Sequence, residues 1–163
     1  MIDPLEFRKV LGCYPTGVCV VTSVEPAGQP VGMSIGSFTS VSLDPPLVAF
    51  FPDRRSTTWT RIRSTGRFCV NVLGDHEEAI SRCFATPTAD KFTGIAHRTS
   101  NLGLPILDGV VAWIDCRIHA VHKAGDHFIV VGDVVSLAAE HPAQPLLFHN
   151  GGYGQLNPMA TAA

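Results

Sequence analysis

The sequence is poor in charge and has no long apolar run. Only 16% of its 163 residues are charged, and the formal net charge is −2 with acidic and basic residues interspersed. This balance offers no basic patch for a polyanion, so we expect no nucleic-acid binding. No apolar run approaches the roughly twenty residues that span a bilayer, and the N-terminal residues have no signal-peptide core. We therefore expect a cytoplasmic protein without membrane contact.

Cysteine pairs and catalytic motifs are missing as well. The five cysteines form no CxxC pattern, and the histidines show no metal-ligand spacing, so neither a disulfide framework nor a metal site is expected. The chain also lacks a P-loop, an HExxH motif, a dinucleotide-binding GxGxxG and a recognisable catalytic triad. If the protein is an enzyme, a bound cofactor must carry the difficult chemistry. Because 45% of the residues are hydrophobic, we expect part of the apolar surface to be buried between subunits.

The patterning predicts one domain built mainly of strands. No internal repeat or linker divides the chain, so the expected domain covers residues 1–157, followed by a flexible tail over 158–163. Successive strands with few helices between them, and no βαβ alternation, indicate a mostly antiparallel barrel with short helices. Apolar runs and alternation predict strands over 18–23, from 30 onward, and over 47–51, 68–73, 109–123 and 127–138.

Three short helices are predicted from capping signals. Asp3 and Pro4 open the first, and the second begins near Ser56 or Thr57 and ends at Gly66. Asp75 and Glu78 have the spacing of a capping box for the third helix. The segment 86–107 is long, polar and rich in glycine and proline, and we expect it to be functional.

The stretch Asp53–Thr58 has the composition of a phosphate site. It follows a predicted strand and opens a predicted helix, and it contains two arginines and three hydroxyl residues. Free N–H groups at a helix N-terminus, hydroxyls and guanidinium groups together suit a phosphate. The same residues also fit an ordinary helix cap beside surface arginines.

Hydroxyl residues crowd the stretch 31–51, where Ser34, Ser37, Ser40 and Ser42 lie beside an apolar run. Gly36 leaves room for a flat ring to lie against the backbone, whose N–H and C=O groups would read the edge of the ring. The alternative is a bulge at Gly36 with the serines facing water.

Two further residues stand apart from the predicted core. His127 follows the turn at Gly125 and Asp126, and a histidine there suits contact with a pyridine nucleotide or proton management beside a reduced flavin. Tyr153 lies in a glycine-rich segment beyond the last predicted strand. Either residue could equally have a structural role only.

These elements, taken in order, resemble the flavin reductase family, whose fold is the FMN-binding split β-barrel and whose members serve two-component flavin-dependent monooxygenases. The resemblance runs from Phe7 to about Tyr153. It rests on the segments 15–18, 37–48, 56–58, 66–73, 90–92, 125–127 and 153–154.

The resemblance implies a homodimer that binds FMN or FAD near the subunit interface and uses NADH, with NADPH as the alternative. It implies a catalytic or nicotinamide-positioning role for His127, with Tyr153 beside the same site, and a phosphate site at 56–58. The implied cofactor-binding residues are Met33, Ser34, Ile35, Gly36, Ser37, Ser40, Ser42, Phe51, Pro52, Asp53, Ser56, Thr57, Thr58, Cys83, Phe84, Ala85, Lys91, Phe92, His127 and Tyr153.

Two positions depart from the family pattern. Gly36 stands where the family often has an asparagine, so only backbone readout remains there. Cys83 stands where an arginine is common, which leaves open how the phosphate is neutralised.

The expected function is an NAD(P)H:flavin oxidoreductase that supplies free reduced flavin to a partner monooxygenase. The alternatives are an FMN-dependent oxidase of the pyridoxamine-phosphate oxidase-like type and a non-catalytic flavin-binding redox module with Cys83 as its sensor thiol.

Overall fold

The structure is a computed structural model that describes residues 2–88, 90–140 and 142–159, so residues 160–163 of the predicted tail lie outside the described part. The helices are α1 (Pro4–Gly12), α2 (Thr57–Thr65) and α3 (Glu78–Ala85). The strands are β1 (Thr16–Gly17), β2 (Cys19–Val24), β3 (Pro30–Ile35), β4 (Thr39–Leu43), β5 (Pro46–Phe50), β6 (Arg67–Val72), β7 (His97–Thr99), β8 (Pro105–Leu107), β9 (Ala112–Ala124), β10 (His127–Ala139), β11 (Leu146–His149) and β12 (Gly152–Gln155).

Seven strands form one antiparallel sheet in the order β3-β2-β6-β9-β10-β5-β4. The order places the first and second hairpins, β2–β3 and β4–β5, at opposite ends, with the three later strands between them. Because β3 and β4 are the two ends of this order, no ladder between them closes the barrel in the described chain. The expectation of a mostly antiparallel β fold with short helices is confirmed.

The barrel interior is apolar and is covered at one end by α2. Trp59 and Ile62 of this helix, 1% and 0% exposed, pack with the ring of Phe50 and with residues from β2, β3, β6, β9 and β10. The Phe50 ring meets both Trp59 and Phe68 edge to face, with centroids 5.5 Å and 5.1 Å apart. Such fully buried aromatic rings contribute strongly to stability, and they fix α2 on the barrel.

A second apolar cluster covers the outer face of the sheet. The hairpin β7–β8, the helix α3 and the strand β11 contribute to it, through residues such as Ile106, Phe84 and Leu146. The segment 86–107 therefore contains a hairpin with a buried strand, β8, and part of it has a packing role that its polar composition did not predict.

The helix termini agree with the capping signals in two of three cases. Asp3 caps α1 by accepting from the Leu5 N–H, and Ser56 caps α2 by accepting from the Trp59 N–H at 3.0 Å. Gly66 ends α2 with a φ of 70°, a conformation that glycine adopts without strain. The prediction that Asp75 and Glu78 form a capping box is wrong.

At the third helix, α3 begins after Glu77, which makes no side-chain cap bond. The Glu77 carboxylate accepts instead from the Gly74 N–H at 2.7 Å, so it stabilises the preceding turn. Tyr153, predicted to lie beyond the last strand, is part of β12. Helices in the described ranges are short, and none is long and apolar enough to cross a membrane.

Candidate active site

Three adjoining grooves lie along β3. The helix groove, about 520 Å³, runs between β3, the start of α2 and the residues after α3. The tyrosine groove, about 180 Å³, lies between β3, α3 and β12, and the loop groove, about 590 Å³, lies beside the link from β3 to β4. Ser34 lines both the helix and tyrosine grooves, and Gly36 lines both the tyrosine and loop grooves. The three grooves therefore adjoin one another at these two residues.

The helix groove ends at the N-terminus of α2. Ser56 uses its oxygen to cap the helix, and Thr57 and Thr58 occupy the first turn. Helix geometry leaves the backbone N–H groups of Thr57 and Thr58 without an intrahelical acceptor. Together with the helix dipole and the hydroxyl groups, these N–H groups form a cradle for an anion.

Two of the three cations that line the helix groove are paired with carboxylates. Arg55 forms an ion pair with Asp53 at 2.9 Å, and its hydrogen bonds lower the Asp53 pKa to about 2. Arg61 bonds Glu25 through two guanidinium nitrogens, at 3.0 Å and 2.6 Å. The Arg61 hydrogen bond also lowers the pKa of Glu25. Neither arginine therefore brings an uncompensated charge to the groove.

Lys91 is the third cation, and among the described residues its ammonium group contacts no carboxylate. The Lys91 Nζ donates to the backbone oxygens of Phe84 at 2.9 Å and Gly32 at 3.3 Å. Burial lowers the pKa of Lys91, as expected for an ammonium group held away from water. Lys91 thus brings a positive charge to this groove, in a chain that has Cys83 where the resemblance implies an arginine.

Side-chain hydroxyls line the tyrosine groove. Ser34 Oγ lies 2.9 Å from Ser81 Oγ, which lies 2.8 Å from the Tyr153 hydroxyl oxygen. The Phe84 ring anchors α3 against Gly32 of β3, where a Cβ would come within 2.7 Å of the ring. Glycine at this position therefore lets α3 approach β3 and places Ser81 beside Ser34.

The loop groove is formed where β3 ends. Ser37 Oγ accepts a 3.0 Å bond from the Phe51 N–H, which fixes the link between β3 and β4 against the end of β5. A Cβ on Gly36 would come 2.9 Å from Thr16 Oγ1. The absence of a side chain at Gly36 thus lets β1 approach, and the Gly36 backbone stays at the rim of two grooves.

His127 lies at the start of β10, opposite Asp53 in an isolated bridge. Its Nδ1 is 2.7 Å from the Asp126 carboxylate, and the hydrogen bond with His127 lowers the pKa of Asp126. Arg54 holds this turn through bonds to the backbone oxygens of Asp126 and Gly125, at 2.9 Å and 3.0 Å. His127 is therefore held beside the loop that leads into α2.

The structure brings most of the expected flavin-binding residues to the groove walls. Those that line one of the three grooves are Met33, Ser34, Ile35, Gly36, Ser37, Phe51, Ser56, Thr57, Thr58, Phe84, Ala85, Lys91 and Tyr153. Phe92 is buried beneath this wall and meets the Phe84 ring edge to face at 5.1 Å.

The remaining expected residues lie away from those walls. Ser40 and Ser42 are on the edge strand β4, where a register shift separates them, and Ser40 is exposed. Pro52 is buried and accepts from the Phe128 N–H. The Cys83 thiol donates to the Lys91 backbone oxygen at 3.5 Å. Asp53 and His127 face each other beyond the groove.

Sequence reasoning missed Ser81 and Arg61. Ser81 is 1% exposed and lies three residues before Phe84, so both lie on the face of α3 that turns toward the barrel. That spacing was the available signal. The sequence contained no local signal for the role of Arg61, because its partner Glu25 is 36 residues away in the chain.

The geometry fits a flavin mononucleotide or dinucleotide. Its ring is uncharged, which suits the hydroxyls and backbone of the tyrosine and loop grooves, and its phosphate suits the cradle at α2. Among the described residues, the carboxylates nearest to this groove, Asp53 and Glu25, are paired with arginines. Their negative charges are therefore compensated and do not oppose a phosphate in the cradle.

Comparisons with known proteins agree with this chemistry. A family model described as "Flavin reductase like domain" matches residues 11–157. The chain is 57% identical to a flavin reductase of Pseudomonas putida over 94% of this chain and 90% of that protein. It is 47% identical to the reductase subunit HsaB of a flavin-dependent monooxygenase of Mycobacterium tuberculosis, over 98% of this chain and 86% of that subunit.

Solved structures give the same assignment. A nitrilotriacetate monooxygenase component B homologue from Mycobacterium thermoresistibile superposes with a TM-score of 0.94 at 45% identity, covering 99% of this chain and 90% of the other. The Streptomyces globisporus NADH:FAD oxidoreductase SgcE6, in complex with NAD and FAD fragments, gives 0.91 at 34% identity and covers 98% of each chain. The chain belongs to the flavin reductase-like family.

Proposed function

We propose that the protein transfers a hydride from NADH to FMN or FAD and releases the reduced flavin to a partner monooxygenase. The observation that carries the proposal is that a groove walled by hydroxyls and backbone adjoins, at Ser34, the groove that ends at the anion cradle of α2. The relatives named as a flavin reductase and as a monooxygenase reductase subunit support the same activity.

The described residues divide the binding of the flavin into two parts. The N–H groups of Thr57 and Thr58 and the ammonium group of Lys91 hold the phosphate, while the backbone around Gly36 and the hydroxyl of Ser34 face the ring. When bound, the flavin supplies the hydride acceptor, so the protein needs no nucleophile of its own. The work of the chain is to orient two flat rings at van der Waals distance and to keep water from between them.

His127 is assigned to the nicotinamide side of the site. Its bond to Asp126 fixes the ring orientation, and Arg54 fixes the turn that carries both residues. We expect His127→Asn to raise the KM for NADH while leaving the Kd for FMN unchanged. A change confined to the FMN Kd would place His127 in the flavin site.

NADH is the preferred donor in this proposal. Discrimination for the 2′-phosphate of NADPH requires a free arginine or lysine. Arg55 is paired with Asp53, and the Arg54 side chain donates to the Gly125 carbonyl oxygen, so neither of the two arginines that precede α2 presents a guanidinium with all of its donors free to that phosphate.

The working unit is a homodimer in this proposal. The helix α1 buries none of its residues, and its apolar side chains Leu5, Phe7, Val10 and Leu11 are all more than half exposed. An apolar helix face of this kind is typical of an interface. Sedimentation equilibrium checks the expectation: a monomer at micromolar concentration contradicts the dimer.

The experiment that tests the activity is anaerobic reduction. Apo-protein is titrated with FMN and with FAD, NADH is added, and loss of flavin absorbance is followed by stopped flow. Catalytic turnover of flavin in excess over protein supports the reductase. Tight flavin that NADH does not reduce points to the oxidase, and flavin binding without reduction by NADH or by other substrates points to the non-catalytic module.

A further inference from the structure

Three hydroxyl groups form a continuous chain along the wall of the tyrosine groove. Ser34, Ser81 and Tyr153 lie on β3, α3 and β12, and two hydrogen bonds of 2.9 Å and 2.8 Å connect them. A serine within a helix commonly returns its hydroxyl to a carbonyl of the preceding turn. Ser81 instead bonds across to a strand and to a hairpin that is 72 residues away in the chain.

The number of hydroxyl protons limits the possible directions of the hydrogen bonds among these three side chains. The three hydroxyls carry three protons, and the two hydrogen bonds use two of them. Ser81 is 1% exposed, so its own proton must be donated within the chain, because a buried donor is rarely left without an acceptor. One proton therefore remains free, at either Ser34 or Tyr153.

The chemistry of the two ends decides between them. A phenol is more acidic than an alkyl hydroxyl, so Tyr153 is the stronger donor. The favoured order is thus donation from Tyr153 to Ser81 and from Ser81 to Ser34, which leaves the Ser34 proton free.

We propose that Ser81 is a positioning residue that holds Ser34 as a hydrogen-bond donor to an acceptor atom of the flavin ring. Ser34 lines the two grooves that the proposed function, on which this inference rests, gives to the flavin. The isoalloxazine ring has carbonyl oxygens and ring nitrogens that accept hydrogen bonds. A fixed donor at one of them stabilises the electron density that the ring gains on reduction.

The test uses lumiflavin, which has the isoalloxazine ring but no ribityl phosphate. Ser81→Ala and Tyr153→Phe are each expected to raise the Kd for lumiflavin and for FMN by the same factor, about threefold to tenfold, the worth of one oriented hydrogen bond. Both variants are also expected to shift the visible absorption band of the bound flavin in the direction that Ser34→Ala shifts it.

A double-mutant cycle separates positioning from a structural role. In a Ser34→Ala background, the further changes Ser81→Ala and Tyr153→Phe are expected to leave the lumiflavin Kd unchanged, because the donor they orient is already gone. A structural role for Ser81 would lower affinity by the same factor in both backgrounds, and that result would overturn the proposal.

Ser23→Ala is the matched control for the loss of a buried hydroxyl. Ser23 lies on β2 away from the grooves, and its hydroxyl bonds Thr65 Oγ1 at 2.7 Å. We expect this control to lower the melting temperature without changing the lumiflavin Kd. If wild-type protein binds neither FMN nor lumiflavin, the proposed function fails. If wild type binds both and Ser81→Ala matches it in Kd and spectrum, this inference alone fails.

Discussion

The helix groove and the tyrosine groove share Ser34, yet they differ in kind. The helix groove is lined by Arg55, Arg61 and Lys91 and ends at a helix N-terminus, whereas the tyrosine groove is lined by uncharged residues, with hydroxyl and apolar side chains and the Gly36 backbone. A phosphate keeps its negative charge throughout a reduction, and a flavin ring changes its electron count. Fixed positive charge suits the phosphate, and polarisable hydrogen bonds suit the flavin ring.

The difference gives a simple experimental division. Changes in the helix groove should alter the affinity for FMN but not for lumiflavin, and changes in the tyrosine groove or at its rim should alter both. Each prediction below tests whether the two grooves act independently.

The largest effect is expected from Lys91→Met. This change removes the one groove cation without a carboxylate partner in the described chain, and a charge-assisted bond to phosphate is worth about 1.5–3 kcal/mol. The Kd for FMN should rise about 10- to 100-fold, as measured by fluorescence titration. Lumiflavin affinity should stay constant, as should FMN affinity in the exposed-lysine control Lys123→Met. Equal losses for FMN and lumiflavin would show that Lys91 shapes the ring site through its bonds to Gly32 and Phe84.

Gly36→Ala tests the neutral wall. The new Cβ would lie 2.9 Å from Thr16 Oγ1, and such overpacking typically costs about 1–3 kcal/mol. We expect the wall to shift, with FMN and lumiflavin both binding several-fold more weakly and a lower melting temperature. The double variant Thr16→Ala with Gly36→Ala removes the clashing hydroxyl and should recover both affinities. If the double variant does not recover these affinities, the loss comes from the Gly36 position itself and not from the clash with Thr16.

Local signals in the sequence predicted the elements that frame the site. The cap at Ser56 and the stop at Gly66 define α2 within a few residues, because each depends on neighbours in the chain. The phosphate cradle followed from the same local pattern. The resemblance to the family was needed to propose Gly36 and Ser34 as contacts of the ring, since alternation alone also allowed a bulge.

Two of the unpredicted contacts join distant parts of the chain. The bond from Ser81 to Tyr153 and the pair of Arg61 with Glu25 depend on how the sheet curls, which no window of sequence contains. Glu77 displaced the expected capping box for a different, local reason: its carboxylate reaches the Gly74 N–H, three residues earlier in the preceding turn.

Ser56→Ala is expected to have a smaller effect that is confined to the helix groove. Loss of the N-cap bond to the Trp59 N–H costs about 1 kcal/mol, which lowers the melting temperature by about 2–4 °C in a domain of this size. FMN affinity should fall by a few-fold as the helix end loosens, with lumiflavin unaffected. Ser64→Ala, an exposed serine near the other end of the same helix, is the matched control for calorimetry and should leave FMN affinity unchanged.

The smallest effect is expected from Asp53→Asn, which frees Arg55 at the mouth of the helix groove. Hydrogen bonds from Arg55 lower the Asp53 pKa from its ordinary value of 3.8 to about 2. The ionised carboxylate therefore stabilises the fold above about pH 4, and this contribution is lost as the pH falls toward 2. The pair is partly exposed, with Arg55 87% accessible, so water screens it and the contribution is small.

Melting temperatures between about pH 5 and pH 2 should consequently fall slightly less in Asp53→Asn than in wild type. At neutral pH the released guanidinium should tighten FMN binding slightly and leave lumiflavin binding unchanged, because only the phosphate carries a charge for it to meet. Asp108→Asn, another exposed carboxylate, should reproduce neither change. If Asp53→Asn alters lumiflavin affinity, the charge in the helix groove reaches the ring, and the two grooves do not act independently.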